Sequence, residues 1–168
     1  MSLYEETTPP GAGIINLSWL GTGVYVALAI VATISPDSYG VAAATASLVL
    51  FAIGCVVFLW AYGIAVQRSR TDLIGIGGLY FLAGSAPNTI RFRLLVPLTI
   101  EVVVAIVTSS IRLYTPLAFG FLVPVFGLGL AGLWGARNGT FPPRTADDED
   151  RGRKDRATAA DDDGEADE

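Results

Sequence analysis

Glu101 is the residue whose chemistry asks most of its surroundings. It is the only ionisable side chain near the middle of an apolar stretch, Leu94 to Ile111. Carboxylates inside a membrane mark ion paths, proton relays or buried partners. An acid at a helix centre costs about 2.5 to 3.5 kcal/mol on the insertion scale, and the eleven Leu, Ile and Val around it return roughly 3 to 6 kcal/mol, so the helix still inserts. At 3.6 residues per turn Glu101 shares a face with Pro97, Leu98, Ala105, Thr108 and Arg112, smaller and more polar than the opposite face. That face is expected to meet other protein. Three roles are open for Glu101: interhelical glue, protonated or hydrogen-bonded to a neighbouring helix, with Thr22, Tyr25, Thr45 or Ser47 as candidate partners; pairing with an Arg of another subunit; or a place in a transport or proton path.

The rest of the chemistry is thin. The chain has no His, and its one Cys is Cys55, within an apolar run. A disulfide framework and the usual Cys/His metal sites are thereby excluded within one chain, and no cofactor is expected. Gly75, Gly77 and Gly78 do not make a phosphate-binding loop, because Tyr80 occupies the place of the last glycine and no strand–turn–helix context surrounds them. They are expected to form a hinge or tight turn, with Asp72 capping a short helix that begins there. Gly127, Ala131 and Gly135 recur every fourth residue, with Gly132 and Ala136 on an adjoining stripe. This small-xxx-small pattern allows close helix approach, within the chain or toward a second copy or partner helix. Gly40, Ala44, Ser47 and Gly54 give an earlier segment a weaker version. Asn138-Gly139-Thr140 matches a glycosylation triplet but falls on the side expected to face the cytoplasm.

These residues need a membrane to act in. The chain is 52% hydrophobic and 16% charged, with a mean hydropathy of +0.52, too apolar for an ordinary soluble domain. Four stretches approach the twenty or so apolar residues a helix needs to cross: 17–34, 41–66, 94–111 and 117–136. The expected fold is therefore an all-α membrane protein of four transmembrane helices in two hairpins. Ser35-Pro36-Asp37 turns the first hairpin, and Arg112 and Tyr114 occupy the tight second connection. The apolar segment 73–86 is too short to span comfortably and is expected to be interfacial or re-entrant. Residues 1–16, with Glu5 and Glu6 and no Lys or Arg, lack the basic region of a cleaved signal peptide, so the first helix is expected to be retained.

The overall charge of −5 belongs to the C-terminus, where the acids from Asp147 to Glu168 concentrate. Without it the body carries seven arginines against five acids. Arg68, Arg70, Arg91 and Arg93 flank the 73–86 segment, and Arg137, Arg144, Arg151, Arg153, Lys154 and Arg156 follow the last span; only Arg112 falls in an outer loop. By the positive-inside rule both termini are cytoplasmic, and a plasma-membrane location is expected. Arg91 and Arg93, with Arg137 and Arg144, are the candidates for lipid headgroups. Trp19, Trp60, Tyr62, Tyr114 and Trp134 lie near helix ends, where amphipathic rings favour the interface. Residues 137–168, which hold no large apolar side chain after Pro143, form the expected disordered tail.

The stretches Gly78-Leu-Tyr-Phe-Leu-Ala-Gly-Ser-Ala-Pro87, Ile90-Arg-Phe-Arg93 and Gly127-Leu-Gly-Leu-Ala-Gly-Leu-Trp-Gly-Ala-Arg137-Asn-Gly-Thr-Phe-Pro-Pro-Arg144 resemble small integral membrane proteins of unknown function from actinobacteria. The resemblance implies a membrane fold and carries no activity. With a lone intramembrane acid and no His, the acid–base or metal constellation of most membrane enzymes cannot be assembled. The expectation is a non-enzymatic accessory or scaffold protein, working through helix–helix contacts and its cytoplasmic face. Its partners would be the lipid bilayer and a membrane protein or further copies of itself, not nucleic acid. The alternative is an oligomeric small transporter or channel using Glu101.

Overall fold

The computed structural model describes residues 9–111 and 115–145. Arg112, Tyr114, the first eight residues and the acidic stretch 146–168 lie outside the described residues. The described chain is helical, and four of its segments are long and apolar enough to cross a membrane: α1 (Ala12–Ile34), α2 (Pro36–Arg68), α4 (Asn88–Ile111) and the compound span Pro116–Asn138. A five-residue helix, α3 (Ile76–Tyr80), lies between α2 and α4.

Each helix reaches past the apolar stretch that marks it, for a local reason. Pro36 keeps Ser35 out of helical geometry, at φ −129° and ψ 72°. The same proline then sits at the first position of α2, where its missing N–H is no loss. Asp37 follows in the first turn, at the positive end of the helix dipole. The first hairpin loop is thus a single residue, and α2 starts five residues before the apolar run. At 33 residues and about 1.5 Å per residue, α2 is roughly 50 Å long, more than a 30 Å hydrocarbon core requires, so it tilts or projects. α4 begins at Asn88 and carries Arg91 and Arg93 on its first turns; helical hydrogen bonds continue through charged residues that long stems can bring to the headgroups.

The last span is not one α-helix. A 3-10 helix, Pro116–Leu122, leads into α5, Pro124–Asn138, and Pro124, which the sequence places inside the 117–136 run, restarts the helix. α5 is the buried axis of the molecule. Apart from Leu128 it is buried from Phe126 to Ala136, and its span is 61% buried against 22–33% for the others. The other helices turn large apolar side chains outward, among them Leu20, Val41, Leu59 and Ile111, the arrangement that lipid solvates and water does not.

The segment 73–86 folds as α3 followed by turns at Leu82 (φ 55°) and Gly84 (φ 75°). Five helical residues advance only about 7.5 Å, so α3 does not cross. A left-handed leucine costs about 1–2 kcal/mol, offset here because Leu82 is fully buried with Ile15, Ile90, Leu94, Ala131 and Trp134. Asp72 caps nothing: α3 starts at Ile76 on Gly75 without a side-chain cap, and Asp72 pairs with Arg68 at 3.0 Å.

The arginine-bearing ends of α2, α4 and α5 are tied together. Arg68 donates to the carbonyls of Ala136 (2.8 Å) and Gly139 (3.2 Å), a cation on the negative end of α5. Leu73 N–H donates to Pro142 O, Arg144 N–H to Thr71 O and Thr140 N–H to Ser85 O. The boundary expected at 137 therefore falls inside α5, and 139–145 is hydrogen-bonded back onto the α2–α4 connection. Trp134 is 1% exposed and donates from Nε1 to Pro10 O at 2.8 Å, so its ring serves the core, whereas exposed Trp60 has Arg137 over its face at 5.2 Å.

Candidate functional site

The break at Val123–Pro124 creates a need that Glu101 meets. The first four N–H groups of a helix lack an acceptor within that helix. In α5 the first residue is a proline, Phe126 N–H turns to the Val123 carbonyl at 2.8 Å, and Gly127 N–H, the fourth, donates to Glu101 Oε2 at 3.2 Å. Glu101 Oε1 accepts from Thr22 Oγ1 of α1 at 2.7 Å. The carboxyl group is fully buried and joins three spans, with a hydrogen-bond acceptor set at the start of α5.

Gly127 is required by this geometry. A Cβ there would lie 2.5 Å from Glu101 Oε2 and 3.2 Å from Leu98 Cδ1. The rest of the small-residue pattern is likewise used inside the chain. Gly135 backs onto the Leu79 carbonyl and Gly132 onto the Tyr80 ring, while Ala131 is fully buried in the core with Trp134. Off the stripe, Gly129 lies against the Gly54 carbonyl, and a Cβ on Gly54 would meet the Phe126 backbone at 2.6 Å. α5 is enclosed by its own chain on every glycine-bearing side, which leaves this stripe no free face for a second copy.

The face assigned to Glu101 is the buried face of α4, comprising Ile90, Leu94, Pro97, Glu101, Ala105, Thr108 and Ser109. Thr108 lies on it but donates to the Val104 carbonyl of its own helix at 2.8 Å. Of the four hydroxyls named from sequence, only Thr22 reaches Glu101: Thr45 and Ser47 bond carbonyls of α2, and Tyr25 donates to Gly120 O at 3.5 Å. Ser18 and Ser109 are buried with no hydrogen-bond partner.

Arg91 and Arg93 sit ten and eight residues before Glu101 on α4, roughly 15 and 12 Å away along its axis. They belong to a second place, the arginine end. Arg91 donates from Nε to Phe81 O at 3.1 Å, and Arg93 is exposed. Arg68 and Asp72, a flanking charge and an expected cap by sequence, are the cross-ties of that end. There too, Tyr80 Oη donates to the Phe58 carbonyl at 3.3 Å, its ring stacked on Phe58 at 4.4 Å. Burial, then the neighbouring Tyr62, raise its pKa above the ordinary value, so the phenol remains a donor.

Chemically the interior site holds one carboxyl group that accepts from one hydroxyl and one amide. Among the described residues no group of three or more His, Cys, Asp or Glu is placed to hold a metal ion. Compared with protein-family models, curated proteins and solved structures, the chain gives no match.

Proposed function

We propose that this chain is a non-enzymatic accessory or scaffold protein of the plasma membrane, with both termini cytoplasmic, acting through its outward helix faces and its arginine end. The observation that carries this reading is the use made of Glu101. Both of its oxygens accept hydrogen bonds inside the bundle, from Thr22 and Gly127, so the one intramembrane acid holds α5 to α1 and α4. A carboxylate serving a path would face a cavity or a water-filled lumen. What the molecule offers outward is apolar helix surface and, beside the platform that Arg68 cross-ties, the exposed Arg70, Arg93, Arg137 and Arg144 with the half-buried Arg91. Even span number and clustered arginines support the cytoplasmic placement.

The test is isolation of the full chain from its native membranes in mild detergent, with Glu101→Gln beside it. The accessory reading expects a distinct membrane protein at a fixed ratio with both chains. A homo-oligomer that mediates flux in vesicles, with the flux lost in Glu101→Gln, would overturn it in favour of transport.

A further inference from the structure

The arginine end carries a groove on the outside of α4. It is open on one side, has a volume of about 450 Å³ and is lined by Asn88, Arg91, Phe92, Leu95, Val96 and Thr99, within the size range of ligand pockets. The spacing keeps these residues on one helical stripe. From Asn88 to Thr99 the stripe runs roughly 16 Å down the span, from polar to apolar. Phe92 and Val96 are outward-facing, at 68% and 39% exposure. Thr99 spends its hydroxyl on the Leu95 carbonyl at 2.8 Å, so the deep end presents methyl and aliphatic surface. At the shallow end Arg91 is fixed through Nε by the Phe81 carbonyl. Among the described residues the one ion pair is Arg68 with Asp72, so no carboxylate there neutralises Arg91.

We infer that this groove seats one anionic phospholipid, its phosphate on the Arg91 guanidinium and an acyl chain along Leu95, Val96 and Thr99. Charge and shape select the occupant together. A cation followed by about 16 Å of apolar wall matches an amphiphile lying along the membrane normal. The acidic stretch 146–168 would satisfy the charge alone, since it contains no large apolar residue to fill the lower groove. A zwitterionic lipid would fill the wall without answering an arginine that no carboxylate among the described residues neutralises.

The experiment is native mass spectrometry of the full-length protein in mild detergent, titrated with phosphatidylglycerol or phosphatidylcholine. One phosphatidylglycerol is expected to bind in preference to phosphatidylcholine. Arg91→Gln should weaken it about fivefold, the share of one arginine near a lipid surface, and Arg91→Lys should keep most of it. Val96→Trp, which fills the groove from the lipid side, should weaken phosphatidylglycerol comparably with Arg91 intact. Equal retention of the two lipids, or wild-type binding by both Arg91→Gln and Val96→Trp, would overturn the site. So would phosphatidylglycerol binding that rises when Asp161, Asp162 and Asp163 are changed to Asn while Arg91→Gln changes nothing, which would put the acidic stretch on the arginines instead.

Discussion

Replacing Glu101 by Leu should push insertion and folding in opposite directions. Leu removes the roughly 2.5–3.5 kcal/mol that an acid costs at a helix centre, so α4 should insert more readily. Folding within the membrane should weaken, because two buried bonds disappear, from Thr22 at 2.7 Å and from Gly127 N–H at 3.2 Å. Interhelical hydrogen bonds in membranes are worth about 0.6 kcal/mol on average and about 1.7 at most. The two bonds together give a loss of about 1–3.5 kcal/mol. Thr22 can turn its hydroxyl to a carbonyl of its own helix, as Thr45 and Thr99 do, which places the larger share on Gly127. Glu101→Gln keeps one acceptor but sets an amide donor against one of the two donors it faces, so it should fall between wild type and Leu. Unfolding by titration of a denaturing detergent in mixed micelles gives the folding term, and a glycosylation-reporter insertion assay gives the other. Equal or greater resistance to unfolding in Glu101→Leu would refute the reasoning, whatever the insertion assay shows.

Gly54→Ala should destabilise by about 1–3 kcal/mol, since its Cβ would meet the Phe126 backbone at 2.6 Å, where no side chain can yield. On the same helix Gly63→Ala meets nothing within 4 Å and should be neutral or stabilising by up to about 1 kcal/mol through helix propensity; the same detergent titration separates the two. Arg68→Ala removes the donors to Ala136 O and Gly139 O and leaves Asp72 unpaired. It should speed amide exchange at Leu73 and Arg144 by at least about tenfold while leaving Gly127 protected, as read by hydrogen–deuterium exchange.

Much of the fold was legible in the sequence because hydrocarbon imposes a length and an apolar composition that a window can read. The four spans and the buried face of α4 come from that constraint and from the helical period. The ends were misplaced where it stops applying. Asn16, Arg91 and Arg93 break an apolar run without breaking a hydrogen-bonded helix, so α1 and α4 begin earlier than their apolar cores. The break before Pro124 was hidden because Leu117 to Leu122 is as apolar as the helix that follows. A proline at a helix start was the available signal, and it would have pointed to Gly127 N–H as a donor in need of an acceptor. Gly127, Ala131 and Gly135 could not be assigned to inner or outer packing, since either use asks for the same missing side chains. The ties from Arg68 to α5 join residues some seventy positions apart, and no local spacing encodes them.

The most direct measurement is the Gly127 amide resonance in isotope-labelled protein reconstituted in lipid, compared between wild type and Glu101→Leu with Gly129 and Gly132 as internal references. A Gly127 proton shifted downfield and slow to exchange in wild type, and moving upfield with faster exchange in the variant while the two references hold, is the expected result. A Gly127 signal indifferent to position 101 would contradict the role given to Glu101 as the acceptor that closes the first turn of α5.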